Sequence, residues 1–237
     1  MGKALVLGAL LSLIGFLMLT ILVILHDFDG ADRLARAVVQ EPRHPLFRSS
    51  MEMASFLGGE PGQFVVVCFG SVLLWRRRGR WGLWLPMVMA GAGVLQLMAK
   101  WAIDRPRPNL DAWGFPSAHV LSLVVLFGYI AYVAGTSRAR HPWRGLGVAA
   151  CAAVVGTVAY SRMYLDAHWL SDVLGGFSIG LAYLLGALWL IRSTPALPEA
   201  AVRAMMPAGS EVDDLLDGVA TGKLSAESLV AAATAGS

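Results

Sequence analysis

Long apolar blocks separated by short polar stretches make up most of the chain between residues 4 and 191. A bilayer core about 30 Å thick takes roughly 20 helical residues to cross, and backbone groups in lipid must be hydrogen-bonded within the segment. Six blocks are long enough, and they lie at about 4–25, 54–75, 83–103, 118–136, 145–163 and 168–191. The pattern predicts an all-α polytopic membrane protein with six transmembrane helices in a bundle.

Three of these blocks carry further signals. The first is longer than the apolar region of a signal peptide and no small-residue cleavage site follows it, so we expect a retained helix. Residues 58–61 (Gly-Gly-Glu-Pro) interrupt the second block, whose membrane-embedded part is expected to begin near Gln63. In the sixth block, Gly176 and Gly180 have the four-residue spacing that lets helices approach closely.

The chain changes character after residue 192. Prolines break up the next stretch, and an Ala-rich acidic segment follows in which Ser210 and Asp213 resemble a helix start. We expect residues 1–192 to form the transmembrane domain. Residues 193–237 are expected to form a cytoplasmic tail, either a short helix or disordered.

Composition agrees with a membrane protein. Hydrophobic residues make up 57% of the chain and charged residues 15%, with a mean hydropathy of +0.62. The net charge of +3 is modest and no basic–aromatic stripes occur, so no nucleic-acid partner is expected. The two cysteines, Cys68 and Cys151, lie in separate apolar blocks and imply no disulfide.

Arginine clusters in the short loops predict the orientation. The clusters are Arg76, Arg77, Arg78 and Arg80 between the second and third helices, and Arg138, Arg140 and Arg144 between the fourth and fifth. Under the positive-inside rule these loops and both chain termini are cytoplasmic, although the loop 26–49 also carries arginines. The chain has few lysines and a single asparagine, a residue usage that leans towards a bacterial source, so we expect it in a bacterial cytoplasmic membrane.

Three polar clusters interrupt the apolar sequence. They are KWAIDRPRP (100–108), PSAH (116–119) and SRMYLDAHWLSD (161–172). The first two are joined by a short loop, and two predicted helices separate the second from the third. Because two crossings return the chain to the same side, we expect all three clusters to meet at one face of the bundle.

The first two clusters, with Arg162, are typical of a phosphate site. Lys100 provides a point charge, and Arg107 and Arg162 provide planar forks of donors that match phosphate oxygens. Pro116 and Ser117 indicate a helix start with Ser117 as N-cap. The first free N–H groups and the positive end of that helix would then face the same anion.

The two histidines are suited to phosphoryl transfer. His168 and Asp172 are four residues apart on one predicted helix, so Asp172 would orient the imidazole for attack on phosphorus. His119 then serves as general acid for the leaving oxygen. The pattern predicts a phosphohistidine intermediate and a bell-shaped pH–rate profile, because His168 must be neutral and His119 charged.

These clusters resemble the signature of the type 2 phosphatidic acid phosphatase superfamily, which also includes vanadium haloperoxidases and glucose-6-phosphatase. The family pattern is K-x6-RP, PSGH and SR-x5-H-x3-D, and every spacing is present here. The resemblance covers roughly residues 100–191 and implies a lipid phosphatase that requires no metal or other cofactor. The implied catalytic residues are His168, His119 and Asp172, and the implied phosphate-binding residues are Lys100, Arg107, Ser117, Ala118 and Arg162.

One family position differs, and several other polar residues need an interpretation. Ala118 replaces the usual glycine, which costs little if the position is helical but narrows the site if the family needs glycine for close phosphate approach. Arg105 is expected to flank the site, Asp166 to cap the last helix, and Glu60 to lie in interfacial water or contact a head group.

A site at the outer membrane boundary suits a substrate whose phosphate is in water and whose chain stays in lipid. The resemblance to bacterial members suggests undecaprenyl diphosphate, with phosphatidate, phosphatidylglycerophosphate or a lipid A phosphate as alternatives. A lipid phosphotransferase would use the same intermediate with a lipid acceptor, and a membrane scaffold or transporter would not need the site. The expected partners are the lipid-linked phosphate and membrane lipids, and no oligomeric state is predicted.

Overall fold

The computed structural model describes residues 2–42, 44–136 and 144–194, and every regular element within them is a helix. In chain order the helices are α1 (Gly2–Ile24), α2 (Asp29–Val39), α3 (Pro45–Leu57), α4 (Glu60–Arg78), α5 (Arg80–Ala102), α6 (Ala118–Gly135), α7 (Arg144–Tyr164) and α8 (Leu170–Ser193). The all-α prediction is confirmed. The prediction of a C-terminal tail, either a short helix or disordered, falls on residues that from 195 onward lie outside the described part of the chain.

The spans are those that the hydrophobic pattern predicted. Helices α1, α5, α6, α7 and α8 are each long and apolar enough to cross a membrane, and α3 and α4 pass the same test as a pair. Many apolar side chains point away from the bundle, such as Leu17, which is 50% exposed, and Phe69, which is 72% exposed. Apolar surface of this extent requires lipid as its solvent. The chain is therefore a multi-pass membrane protein.

The second span is broken where the sequence indicated a break. α3 and α4 meet at an angle of 51°. Gly59 is extended at the start of α4, and Pro61 lies in its first turn, where a missing N–H removes no helical hydrogen bond. The helical structure nevertheless begins at Pro45, earlier than predicted, and the loop between the first two spans contains the additional helix α2.

α8 lies at the centre of the bundle and packs against α1 and α6. Its contact with α6 depends on two glycines. A Cβ atom at Gly176 would lie 2.5 Å from the carbonyl oxygen of Ser117, and one at Gly180 would lie 2.9 Å from that of Leu121. The close helix approach predicted from this spacing is confirmed, and it places the start of α8 beside the start of α6.

We expect Gly176→Ala to lower the thermal unfolding midpoint of the detergent-solubilised protein relative to Gly186→Ala. Both substitutions add the same helix propensity, but a Cβ atom at Gly186 meets nothing within 4 Å. Overpacking against the backbone at Gly176 should cost about 1–3 kcal/mol. Equal unfolding midpoints for the two variants would contradict this packing.

Candidate active site

A polar cavity of about 400 Å³ lies where the three motifs meet. The predicted site residues that line it are Lys100, Arg107, Ala118, His119, Arg162 and His168. Glu60 and Gln63 of α4 line it as well. The structure thus brings together the three clusters, as their positions relative to the spans predicted.

His168 lies in the turn between α7 and α8, and it is almost completely buried. Its N–H group and that of Ala167 donate to the carbonyl oxygen of Arg162, at 3.1 and 3.0 Å. The residue that supplies a cation to the cavity therefore also fixes the turn that carries the imidazole. The expectation that His168 is helical is wrong, because α8 begins only at Leu170.

The carboxylate of Asp172 contacts the imidazole of His168. Its Oδ2 atom lies 3.3 Å from Nδ1 of His168 and accepts a hydrogen bond of 2.9 Å from the N–H of Trp169. Because Nδ1 is engaged, Nε2 is the ring nitrogen available to react. The carbonyl oxygen of Asp172 also accepts from the N–H of Ser117 at 2.9 Å, which joins the third motif to the second.

Burial lowers the pKa of His168 below its ordinary value. The hydrogen bond and the charge of Asp172 raise this pKa, while the charges of Arg162 and Arg107 lower it, and the net direction is downward. A lowered pKa keeps the imidazole neutral at neutral pH. The neutral ring retains the lone pair that a nucleophile needs.

The start of α6 and two arginines present unpaired polar atoms beside the cavity. Ser117 is the N-cap residue, as predicted, but its side chain makes no capping hydrogen bond. Its Oγ atom is buried without a hydrogen-bond partner among the described residues, and so are the Nε atoms of Arg107 and Arg162. Buried donors are normally paired. The oxygens of a phosphate would pair with donors arranged in this way.

Ala118 is compatible with this site. It is the first residue of α6 and lines the cavity. Helical backbone accommodates alanine without strain, so the replacement of the family's glycine costs little at this position.

Sequence reasoning missed the contributions of α2 and α3. Asp32 of α2 and Ser55 of α3 are both buried. Ser55 Oγ accepts a 2.6 Å hydrogen bond from Nη1 of Arg162, and Asp32 is bonded to Arg105. Arg105 also donates to Asp172, so it does more than flank the site. The one available signal was the position of Arg105 inside the first motif.

The predicted capping role of Asp166 is wrong. This residue lies in the turn before α8 with a φ of 57°, and its carboxylate accepts hydrogen bonds from Arg36 of α2 and from Gln40, which follows that helix. Asp172 instead reaches back to the N–H of Trp169, in the manner of the acidic residue of a capping box.

A family model described as the PAP2 superfamily matches residues 81–195. The chain is 27% identical over 176 residues to phosphatidylglycerophosphatase B of Bacillus subtilis. This match covers 70% of this chain and 86% of that protein. The chain is also 27% identical over 140 residues to lipid phosphate phosphatase delta of Arabidopsis thaliana. This match covers 52% of this chain and 33% of that protein.

Two crystal structures have a similar fold. One is a transmembrane PAP2-type phosphatidylglycerolphosphate phosphatase from Bacillus subtilis, with a TM-score of 0.71 and 21% identity over 81% of this chain and 99% of that one. The other is Aquifex aeolicus LpxE, with a TM-score of 0.52 and 22% identity over 66% of this chain and 93% of that one.

The fold and the cavity define a class of protein: a multi-pass membrane protein with a cationic cavity built from helix ends. The stretch that matches the PAP2 superfamily model, residues 81–195, contains all three motifs from which the resemblance was predicted.

We expect Ser55→Ala to weaken the binding of inorganic phosphate about 5-fold, because Arg162 loses a hydrogen bond worth roughly 1 kcal/mol. Phosphate-dependent thermal stabilisation in detergent measures this binding without requiring activity. Ser50→Ala is the matched control, since Ser50 lies exposed on the same helix and, among the described residues, its hydroxyl donates only to the carbonyl oxygen of Leu46. Equal phosphate binding by the two variants would show that Ser55 does not hold Arg162 in place.

Proposed function

We propose that the chain is an integral membrane lipid phosphatase that hydrolyses a phosphate monoester or diphosphate head group through a phosphohistidine at His168. One observation carries this proposal. A buried imidazole, held by Asp172, opens on a cavity that Lys100, Arg107 and Arg162 also line. The names of the two relatives, both phosphatases and one of them a lipid phosphate phosphatase, support the same reaction class.

The proposed reaction has two steps. Nε2 of His168 forms a bond to phosphorus while the bond from phosphorus to the leaving oxygen breaks, and His119 donates a proton to that oxygen. Asp172 stabilises the imidazolium, and the cations stabilise the charge on the phosphoryl oxygens. A water molecule, deprotonated by His119, then attacks phosphorus, the nitrogen–phosphorus bond breaks, and inorganic phosphate leaves.

An apolar cavity of about 590 Å³ supports an amphiphilic substrate. Its walls come from α3, α4, α6 and α7, and they include Leu57, Val65, Leu126, Val154 and Val158. Gln63 lines both this cavity and the polar one. A lipid whose phosphate lies beside His168 would therefore have a hydrocarbon-compatible volume next to its head group.

Undecaprenyl diphosphate is the first candidate substrate, on the resemblance of this compact chain to bacterial enzymes that recycle a lipid carrier. Phosphatidylglycerophosphate is the second candidate, and the name of the Bacillus subtilis relative favours it. Phosphatidate and lipid A phosphates belong to the same chemical class. A phosphotransferase would show itself by a phosphorylated lipid acceptor in place of free phosphate.

We also propose that the site faces the extracytoplasmic side of a bacterial cytoplasmic membrane. The arginines Arg76, Arg77, Arg78 and Arg80 lie at the end of α4 and the start of α5, one membrane crossing away from Lys100 at the other end of α5. Basic residues in short loops favour the cytoplasmic side, which places the motifs opposite. Both termini are then cytoplasmic.

We expect His168→Ala to reduce phosphate release by roughly 10⁴- to 10⁶-fold, because it removes the nucleophile. Purified protein is assayed on a panel of undecaprenyl diphosphate, phosphatidylglycerophosphate, phosphatidate and lipid A phosphate, with and without chelator. The control is His26→Asn, since the His26 side chain is 80% exposed and pairs only with Asp29 among the described residues.

Undiminished phosphate release by His168→Ala would contradict the proposed chemistry. Loss of wild-type activity on chelation would contradict a reaction that uses no metal.

The acid limb of the pH–rate profile should have its midpoint below about 6.5, the ordinary histidine value. His168 must be neutral to react, and its lowered pKa keeps it neutral as the pH falls through that value. In Asp172→Asn the limb should move further down, because a charge that raises the pKa is gone. An acid limb above 6.5 in the wild type would contradict the burial of the nucleophile.

A further inference from the structure

We propose that Asp32 and Arg105 are positioning residues of the catalytic apparatus, forming with Asp172 a buried ion network that holds His168 for attack. This inference rests on the proposed function, because it assigns the network to the chemistry of His168. It makes α2, which lies in the loop between the first two spans, part of the active site.

Arg105 connects two buried carboxylates. Its Nη1 atom donates to Oδ1 of Asp172 at 3.0 Å, and its Nη2 atom donates to Oδ2 of Asp32 at 2.8 Å. The side chains of Asp172 and Asp32 are 0% and 1% exposed, and that of Arg105 is 13% exposed. A carboxylate at this depth is stable only when it is paired, so each of the three depends on the others.

Asp32 also binds the first turn of α8 directly. Its Oδ1 atom accepts a 2.8 Å hydrogen bond from the N–H of Ser171, and its Oδ2 atom accepts one of 2.6 Å from the hydroxyl of Ser171. Arg105 donates to the same hydroxyl. The network therefore fixes the residue beside Asp172 as well as Asp172 itself, and hence the distance from Asp172 to the imidazole.

The charge balance of the network suits the reaction. Arg105 lies between the carboxylates of Asp172 and Asp32, and the carboxylate of Asp29 lies 3.6 Å from its Nη2 atom. The network is therefore net negative, and this charge stabilises the imidazolium formed during attack on phosphorus. In the resting state Arg105 shares the charge of Asp172, which limits how far Asp172 favours a protonated ring. Arg105 thus favours a neutral His168 before the attack, and the carboxylates stabilise the imidazolium that the attack forms.

Other charged groups line the cavity onto which the imidazole opens, and they come from several elements. They are Glu60 of α4, Lys100 of α5, Arg107 of the loop before α6, His119 of α6 and Arg162 of α7. None of the five forms a hydrogen bond with Asp172, Arg105 or Asp32 among the described residues, so removal of Arg105 or Asp32 breaks no hydrogen bond of theirs.

A neighbouring contact provides the control. Arg36, also on α2, donates to Asp166 at 2.7 Å in the turn that precedes His168. Arg36 and Arg105 lie over the ring of Trp169 at 5.8 and 5.9 Å from its centroid. Arg36 thus ties α2 to the same turn without reaching Asp172, so Arg36→Gln removes a similar structural contact but leaves the ion network intact.

The experiment compares Arg105→Gln, Asp32→Asn, the double variant and Arg36→Gln by the pH dependence of kcat/KM. Each network variant should lose roughly 10- to 100-fold in kcat, with little change in KM. The acid limb should move to higher pH in Arg105→Gln, since a cation beside Asp172 is lost. It should move to lower pH in Asp32→Asn, since an anion is lost. Each shift should be about half a pH unit or more.

A purely structural role predicts falls in activity without opposite shifts. Shifts in the same direction, or wild-type profiles and rates in both single variants, would overturn the network proposal. The double variant should lose less than the product of the two single losses, because the loss of one cation and one anion leaves the net charge at its wild-type value. If Arg105→Gln does not fold, Arg105→Lys replaces it: this variant keeps the charge but not the fork, so kcat should fall while the acid limb stays in place.

Wild-type protein and His168→Ala are assayed alongside these variants. If wild type releases phosphate, His168→Ala does not, and the network variants behave as wild type, the network proposal is contradicted and the proposed function is not. Equal rates for wild type and His168→Ala contradict the proposed function, and the network proposal with it.

Discussion

The completely buried carboxylate of Asp172 connects all three motifs. Its oxygens contact Nδ1 of His168, the N–H of Trp169 and the guanidinium of Arg105, and its carbonyl accepts from the N–H of Ser117. A buried carboxylate is stable only when donors of this kind pair with it. Because these donors come from several chain segments, pairing them with Asp172 fixes the positions of those segments relative to one another. The cavity beside His168 exists because those positions are fixed.

The membrane fold supplies the other constraint. Since α5 ends and α6 begins on the same face as the turn between α7 and α8, the chain delivers its polar residues to one end of an apolar bundle. The glycines of α8 allow the two helix starts to approach, and the first turn of α4, after the break between α3 and α4, lines the same cavity. A polar cavity adjoining an apolar one suits a substrate with a phosphate head and a hydrocarbon tail.

Hydropathy and motif spacing were enough to predict the spans and the convergence of the three clusters, because both depend on the length of a helix relative to a bilayer. They were insufficient where a residue's partner is chosen by tertiary docking. Asp32 and Ser55 carry no local mark of their roles, since their partners Arg105 and Arg162 are distant in sequence. Asp166 was assigned to a helix cap on local pattern, but tertiary contacts with α2 hold it elsewhere.

The central claim is that phosphorus is bonded to His168 during turnover. Hydrolysis of a lipid thiophosphate made chiral at phosphorus with two oxygen isotopes, in water that carries the third isotope, tests this claim directly. Two successive displacements, on the histidine and then by water, predict inorganic thiophosphate with retained configuration. Inverted configuration would mean that water attacks phosphorus in a single step, and it would contradict the role assigned to His168.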